Sequence, residues 1–425
     1  MSLPPSVKTA VIGAGHAGLT MSWFLTQAER DHVVIDRRAS PGGSWGERWD
    51  NFRLVTPNWI ASFPDHPYDG PDPDGFMTRD EIHARVAAYA DGISAPVTCD
   101  TDVRRLMLGA DGGFDLETTR GTVHAADVVV ATGSFHGPRL PAIASQLPTR
   151  LTQLHSHKYR NVPSLPPGGV LIVGSGQSGC QIAEELGEAG RRIFVSVGSA
   201  GRAPRRYRGR DIFRWLALLA TRGADTGVPF PTVDKLPELR MRSAANPQLS
   251  GHHGGHDVNL RQMALDGMVL LGRIERVEGE RLHLVPGLSA SLARADALFD
   301  ERFRPLIDRF IEAAGIDAPP DDRRPVDYEP PEPATVDLDD AGISTVIWAT
   351  GYQLDYGWIE LPILDEYGFP RQQRGVSDVP GLYFLGLLWQ HTQASATLFG
   401  PRLDAPYLIA HMGLPVRGEA LEMPA

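Results

Sequence analysis

Cysteine is scarce in this chain: 425 residues hold two, Cys99 and Cys180, far apart in sequence. So few thiols leave no room for a disulfide framework of the secreted kind and fit a reducing cytoplasm. There is no C-x-x-C, which disfavours a reductase that relays electrons through a dithiol. Long apolar runs are also missing, and none reaches membrane-spanning length. The opening MSLPPSVKTAVIGAG enters a strand without the basic stretch and apolar segment of a secretory signal. The expectation is a cytoplasmic protein with no membrane partner. Net positive charge is lacking too: 41 Lys and Arg face 52 Asp and Glu, a formal charge of −11. That balance argues against a broad nucleic-acid or anionic-lipid surface. What remains is ordinary for a globular protein, with 42% hydrophobic and 22% charged residues, long enough for two or three domains.

Glycine is placed with purpose. VKTAVI at 7–12 reads as a short buried strand, Gly13, Gly15 and Gly18 follow as G-x-G-x-x-G, and LTMSWFLTQA reads as a helix. The first glycine permits a tight turn and the second lets a pyrophosphate approach the backbone. The third lets helix and strand pack closely, while the helix N-terminus attracts phosphate charge. The next strand, HVVID, ends at Asp36, and 36 − 13 = 23 positions is the spacing of an acid that binds an adenosine ribose. A carboxylate there would repel a 2′-phosphate, so this loop is expected to take FAD or NAD.

The phrase recurs as VLIVGSGQSG at 170–179, with Gly174, Gly176 and Gly179, then Gln177 and Ser178 opening the helix. Here the position 23 past the first glycine is Val197, followed by Gly198 and Ser199, and no acid is present. RAPRRYRGR instead supplies Arg202, Arg205, Arg206, Arg208 and Arg210. Guanidinium groups suit a 2′-phosphate, so this loop is expected to prefer NADPH, with the contacting arginine left open. Two such loops with complementary ribose chemistry predict a flavin in one domain and NADPH in the other.

These motifs, in this order, resemble the class B flavoprotein monooxygenases, which include flavin-containing monooxygenases, plant YUCCA enzymes and Baeyer–Villiger monooxygenases. PGGSW at 41–45, with Gly43 and Trp45, is similar to the family's G-G-x-W. RWDNFRLVTP at 48–57 is similar to its flavin-side segment. DVVVATG (Ala131, Thr132, Gly133) and TVIWATGYQLD (Ala349, Thr350, Gly351) resemble its two A-T-G motifs. GLYFLGLLWQ, with Gly386 at its turn, resembles the C-terminal flavin-binding strand. In the family's F-x-G-x-x-x-H-x-x-x-Y/F fingerprint, His155 and Tyr159 fit as interdomain hinge residues. Thr149 and Leu151 depart from its first half, and Arg160 departs from the Baeyer–Villiger ending.

The resemblance implies an α/β fold with two dinucleotide-binding Rossmann-like domains, the NADPH domain inserted in the FAD domain, a glutathione-reductase-like architecture. The expected boundaries are 1–155 and 345–425 for the FAD-binding domain and 156–344 for the NADPH-binding domain with a helical insertion. The implied function is an FAD- and NADPH-dependent monooxygenase that inserts one atom of O2 into a small organic substrate through a flavin C4a-hydroperoxide, by N- or S-oxygenation or a related step. FAD contacts are expected from Gly13, Gly15, Gly18, Asp36, Gly43, Trp45, Thr132, Gly133 and Gly386. NADPH contacts are expected from Gly174, Gly176, Gln177, Ser178, Gly179, Ser199, Arg202, Arg205, Thr350 and Gly351. Asn58, just past LVTP, is the candidate side chain at the flavin, with a turn role after Pro57 as its alternative.

Two other functions stay open: an NADPH-dependent flavoprotein reductase using an acceptor other than O2, and a non-catalytic flavin redox sensor. Residues 211–230 read as a core helix, with a lid over the site as the alternative. Phe299, Phe303, Leu306, Ile307, Phe310 and Ile311 mark one apolar helical face. Residues 317–340 read as an exposed loop. HHGGHD at 252–257 lacks the second ligand pair of a structural metal site, so no metal is expected. A homodimer is compatible with the sequence.

Overall fold

The computed structural model describes residues 3–417, so the outer ends of the expected first domain, 1–2 and 418–425, lie outside the described residues. Ser6–Ile12 forms the central strand of a nine-stranded sheet, parallel to His32–Ile35 on one side and to Gly121–Val130 on the other. Val97–Thr98 extends the first side and Leu382–Phe384 the second, both parallel. The last four residues of Ser6–Ile12 are all buried, as expected of a strand covered by helices on both faces. Val103–Leu108 and Phe114–Thr118 add an antiparallel meander on Gly121–Val130.

The second sheet has five strands, all parallel, in the order Val269–Leu271, Ile193–Ser196, Gly169–Val173, Ile343–Trp348, Thr152–His155. Its central strands repeat the plan of the first: glycine-loop strand, following strand on one flank, A-T-G strand on the other. Two Rossmann-like units, the second inserted in the first, are therefore present.

Strand pairing runs across the expected domain breaks. The expected breaks at 155/156 and 344/345 fall within or beside strands of the second sheet, where Thr152 pairs with Thr345 and His155 with Trp348. The second sheet thus runs from strand Thr152–His155 through strand Ile343–Trp348. Pairing partners decide sheet membership, and motif ends do not report them.

Past the second sheet's loops, helices Ile212–Arg222 and Arg304–Ala313, with the helical turn Phe299–Phe303 between Leu288–Leu298 and Arg304–Ala313, build a separate apolar cluster around Trp215, Phe299 and Phe310. The predicted apolar face is buried at Phe299, Leu306, Ile307, Phe310 and Ile311. Pro305 does not break it, because Pro305 lies in the first turn of Arg304–Ala313, where its missing N–H is not needed. Residues 317–334 lack regular structure, but Thr335–Asp337 pairs with Arg281–Leu284 as an edge strand rather than continuing the loop.

The C-terminal helix Gly400–His411 packs on His16–Gln27, the helix of the first glycine loop. It buries Asp404, whose Oδ2 has no hydrogen-bond partner. Burial pushes this carboxyl up to about 6, partly offset by a hydrogen bond from Ser395. A carboxyl raised in the folded state binds its proton more tightly there. Stability is therefore greatest below the unfolded value near 4 and falls as pH rises through about 6, by up to about 3 kcal/mol. Asp404→Asn is expected to raise the melting temperature at pH 7.5, with the gain shrinking toward pH 4.5. A gain that is equal at both pH values would refute the burial account.

Candidate active site

The two glycine loops are built alike, atom for atom. Gly13 N donates to Ile35 O at 2.8 Å and Gly174 N to Ser196 O at 3.0 Å. Ala131 N donates to Ile12 O at 2.8 Å and Ala349 N to Val173 O at 2.9 Å. Gly13 and Gly174 both sit at φ +109°, and an added Cβ would meet the Ala131 carbonyl at 2.6 Å or the Ala349 carbonyl at 2.5 Å. A Cβ on Gly18 would fall 1.8 Å from the Gly13 carbonyl, and one on Gly179 2.1 Å from the Gly174 carbonyl. These four glycines are needed by the protein itself. Gly15 and Gly176 differ: Gly15 would meet only the Gly43 Cα at 3.7 Å, and Gly176 nothing within 4 Å. Their bareness serves a space outside the protein, which is the cradle a pyrophosphate requires.

Around the first cradle the structure gathers residues from distant segments. Gly43 comes close enough that its Cβ would lie 3.1 Å from the Gly15 Cα, and a Cβ on Gly386 would lie 3.0 Å from the Ala17 Cβ. Thr132 Oγ1 bonds His136 Nε2 at 3.1 Å, beside Gly133 at φ +76°. Asp36 is buried; its carboxylate accepts from Ala14 N at 2.6 Å and Arg38 N at 2.8 Å, which locks the acid to the loop. Trp45 lies 6.4 Å from the His16 ring. His16 is held neutral, its pKa lowered by burial to about 4 against a backbone bond at Thr397, and its Nε2 is buried without a partner.

The second cradle is flanked by Gln177, whose amide donates to Pro247 O at 3.0 Å, and by Ser178. Ser178 opens on a cleft of about 350 Å³ shared with Ser44, Arg48 and Tyr352. Arg48 was not singled out by sequence. Its guanidinium lies 5.2 Å from the Phe135 ring and gives this cleft a cation. Thr350 Oγ1 donates to the Arg139 carbonyl, and Ser199 is exposed past the end of Ile193–Ser196.

Two expected residues are placed otherwise. Arg205 is 2% exposed, pairs with Asp211 at 2.8 Å, donates to Val55 O at 2.6 Å and lies 4.3 Å over Phe76. It is spent inside the protein, whereas Arg202, paired with Asp296 at 2.6 Å, stays partly open. Asn58 is buried, and both ends of its amide serve the chain: Nδ2 donates to Asp72 O at 2.9 Å and Oδ1 accepts from Met77 N at 2.7 Å. Asn58 pins the loop over residues 58–77, which fits its alternative turn role.

His155 is 4% exposed; its Nε2 donates to Gly351 O at 2.9 Å and its Nδ1 accepts from His157 N at 3.1 Å. One imidazole therefore ties the chain entering the second sheet to the turn leaving it. Tyr159 is fully buried, and its hydroxyl faces Glu185, whose carboxyl burial pushes up to about 7. The histidines of HHGGHD are likewise committed, His256 to Glu184 at 2.5 Å and His253 to Glu188 at 2.7 Å. Among the described residues no group of His, Cys, Asp and Glu is arranged to hold a metal ion.

Beside Gln177 of the second loop lies a cavity of about 940 Å³ including its mouth. Thr56 and Thr397 reach it from the side of the first loop, and Gln177 from the second. Phe213, Leu216, Ala217 and Ala220 line it from helix Ile212–Arg222, while Trp215 and Leu219 of the same helix enter the apolar cluster. The helix is thus core on one face and cavity wall on the other. Asn246 and Gln393 face each other across the mouth, with the Gln393 amide 3.4 Å from Asn246 Oδ1.

With this geometry in hand, comparison with known proteins is informative. Residues 10–212 match the family model described as pyridine nucleotide-disulphide oxidoreductase. A protein of Geobacillus kaustophilus, called an uncharacterized CzcO-like oxidoreductase, is 32% identical over 95% of this chain and 97% of its own. The chain belongs to the CzcO-like oxidoreductase family. A Baeyer–Villiger monooxygenase of Streptomyces coelicolor is 29% identical over 42% of this chain and 36% of its own, so the monooxygenase resemblance holds. Among solved structures, DfoA of Erwinia amylovora, a cadaverine monooxygenase bound to FAD, matches with TM-score 0.62 and 16% identity, covering 99% of each chain. Bacillithiol disulfide reductase of Staphylococcus aureus matches with TM-score 0.57 and 12% identity, covering 97% of this chain and 99% of that one. Both likenesses concern the fold, which this chain shares with an oxygenase and a reductase alike. No helix of the described residues is long and apolar enough to cross a membrane.

The glycine geometry gives a direct test in the ligand-free protein. Gly15→Ala and Gly176→Ala are expected to melt within about 2 °C of the wild type, since neither adds a close contact in a backbone that alanine tolerates. Gly18→Ala and Gly179→Ala are expected to melt far lower or fail to fold. Equal losses in all four would show that the cradle glycines are structural.

Proposed function

We propose that this protein is an FAD- and NADPH-dependent monooxygenase acting on a small molecule held in this cavity. The observation that carries the reading is the cavity itself, which touches Thr397, bonded to His16 of the first loop, and Gln177 of the second. Each loop fits a dinucleotide through its bare middle glycine, and Asp36 favours an unphosphorylated ribose at the first. Ser178, Ser199, Arg202, Thr350 and Gly351 are the residues proposed around NADPH, with Arg48 of the first domain facing Ser178 across the narrower cleft. When bound, NADPH supplies hydride and the flavin activates O2 by the route that the family resemblance implies. The chain's part is to hold both nucleotides, to keep water from the reacting centre with apolar walls, and to add no proton source there. The neutral state of His16 serves that last need.

Thiol chemistry is disfavoured by the two cysteines. Cys180 is 1% exposed with its thiol pushed up to about 12, chiefly by burial and then by Glu184. Cys99 is half-buried and also raised, by burial and then by the charge of Asp36. A reductase using a non-thiol acceptor is the second reading, supported by the fold shared with the disulfide reductase.

The deciding experiment reduces the yellow protein anaerobically with NADPH and mixes it with O2 in a stopped-flow spectrophotometer. A long-lived species absorbing between the reduced and oxidised flavin bands is expected. Direct return to oxidised flavin with stoichiometric peroxide would favour the reductase, and no reduction by NADPH would defeat the assignment of the second loop. In the same assay Gly15→Ala is expected to purify without FAD. Arg202→Ala is expected to raise the KM for NADPH at least about ten-fold, the worth of one charge-assisted contact, while leaving that for NADH unchanged.

A further inference from the structure

The walls of the large cavity carry no charge. Among the described residues its lining contains no Asp, Glu, Lys, Arg or His, and its area is overwhelmingly apolar, from Phe213, Leu216, Phe230, Phe303 and Phe399 among others. On the helix wall, the neighbouring charged residues Asp211 and Arg214 are each paired. Asp211 accepts from Phe213 N at 2.9 Å and pairs with Arg205, while Arg214 lies 4.3 Å over Trp59 and pairs with Asp74 at 3.7 Å. The polar groups that do reach the cavity are neutral and few: Thr56, Gln177, Asn246, Gln393 and Thr397. Several are already engaged. Thr397 Oγ1 donates to Ala394 O at 2.7 Å, so toward a ligand it can only accept, and Gln177 Nε2 is held by Pro247 O.

An ion placed here would lose its water and gain no counter-charge. That costs several kcal/mol, so a carboxylate or ammonium would have to become neutral to enter. Apolar surface, by contrast, gains about 25 cal/mol per Å² buried. The aromatic walls favour a flat ring over a thin flexible chain, which would also lose more conformational freedom.

We infer that the molecule bound in this cavity is uncharged and ring-containing, an apolar compound with at most one or two neutral polar groups, and that charged amines and carboxylates are excluded. The inference rests on the oxygenase reading for what happens to this molecule, but on the cavity alone for what it is. Binding therefore tests it independently of turnover.

The probes are N-phenyl-1-naphthylamine, which is uncharged, and 8-anilino-1-naphthalenesulfonate, the same ring skeleton with a sulfonate. Fluorescence titration of the FAD-loaded protein is expected to give at least ten-fold tighter binding of the uncharged probe. Methyl phenyl sulfide should displace it, and 4-(methylthio)benzylamine at pH 7 should not. Ala220→Trp, which fills the cavity from its helix wall, should weaken the uncharged probe at least ten-fold. Ala220→Lys, at a half-buried position on the cavity wall, should instead strengthen the sulfonate at least five-fold. Equal binding of the two probes by the wild type would overturn the inference. So would displacement by the ammonium compound, or binding of the uncharged probe that survives Ala220→Trp. Failure of NADPH to reduce the flavin would overturn the oxygenase reading and leave these titrations standing.

Discussion

A backbone carbonyl pressed against a glycine organises this protein twice. The Ala131 carbonyl occupies the space a Cβ on Gly13 would need, and the Ala349 carbonyl does the same at Gly174. Only a residue without a side chain, free to adopt φ +109°, lets the A-T-G strand lie beside the glycine strand to its very end. The two strands then finish level, and the crevice beyond their C-terminal ends stays open. Parallel sheets place ligands in that crevice because strand ends, helix N-termini and loop amides converge there. The A-T-G motifs are thus the second half of each nucleotide loop, contributed from more than a hundred residues away.

Duplication makes the relation between the units a mechanical matter. The chain enters the second sheet along Thr152–His155 and leaves along Ile343–Trp348, and these crossings are paired neighbours. His155 bonds the Gly351 carbonyl where the second crossing turns back. Burial lowers its pKa, and with Nε2 donating and Nδ1 accepting it serves as a fixed donor–acceptor between backbone groups. The opposite side is closed by Arg242, 6% exposed, which reaches Asp365 at 2.5 Å, and by Val233 N bonded to His391 O. The two units are therefore held together by two separate ties.

What the sequence could reveal follows from how local each signal is. The glycine spacing and Asp36 fall within a few dozen residues of one another, and their chemistry is fixed by one βαβ unit, so both loops and the fold were legible. Arg205 and Asn58 were not. Their side chains suit a phosphate or a flavin by type, but Asp211, Val55, Asp72 and Met77 reach them first, and residue type does not report such competition. The strand at Thr152–His155 was hidden for the same reason, because four residues show little periodicity and their partner lies near residue 345. The cavity was hidden most completely, since its walls come from segments near 55, 177, 213, 247, 303 and 397.

Helix Ile212–Arg222 shows why the choice between core and lid was ill-posed. Trp215 and Leu219 bury one side in the helical cluster, and Phe213, Leu216 and Ala220 present the other to the cavity. A helix apolar on both sides reads from sequence as wholly interior, and in a sense it is, because the cavity is interior space lined like a core. The distinction lies in size. Ala217 and Ala220 stand where a packed core would use larger side chains, and the volume they leave is part of the cavity. In such a wall the room available is set by small residues more than by polar ones, which are few and already engaged.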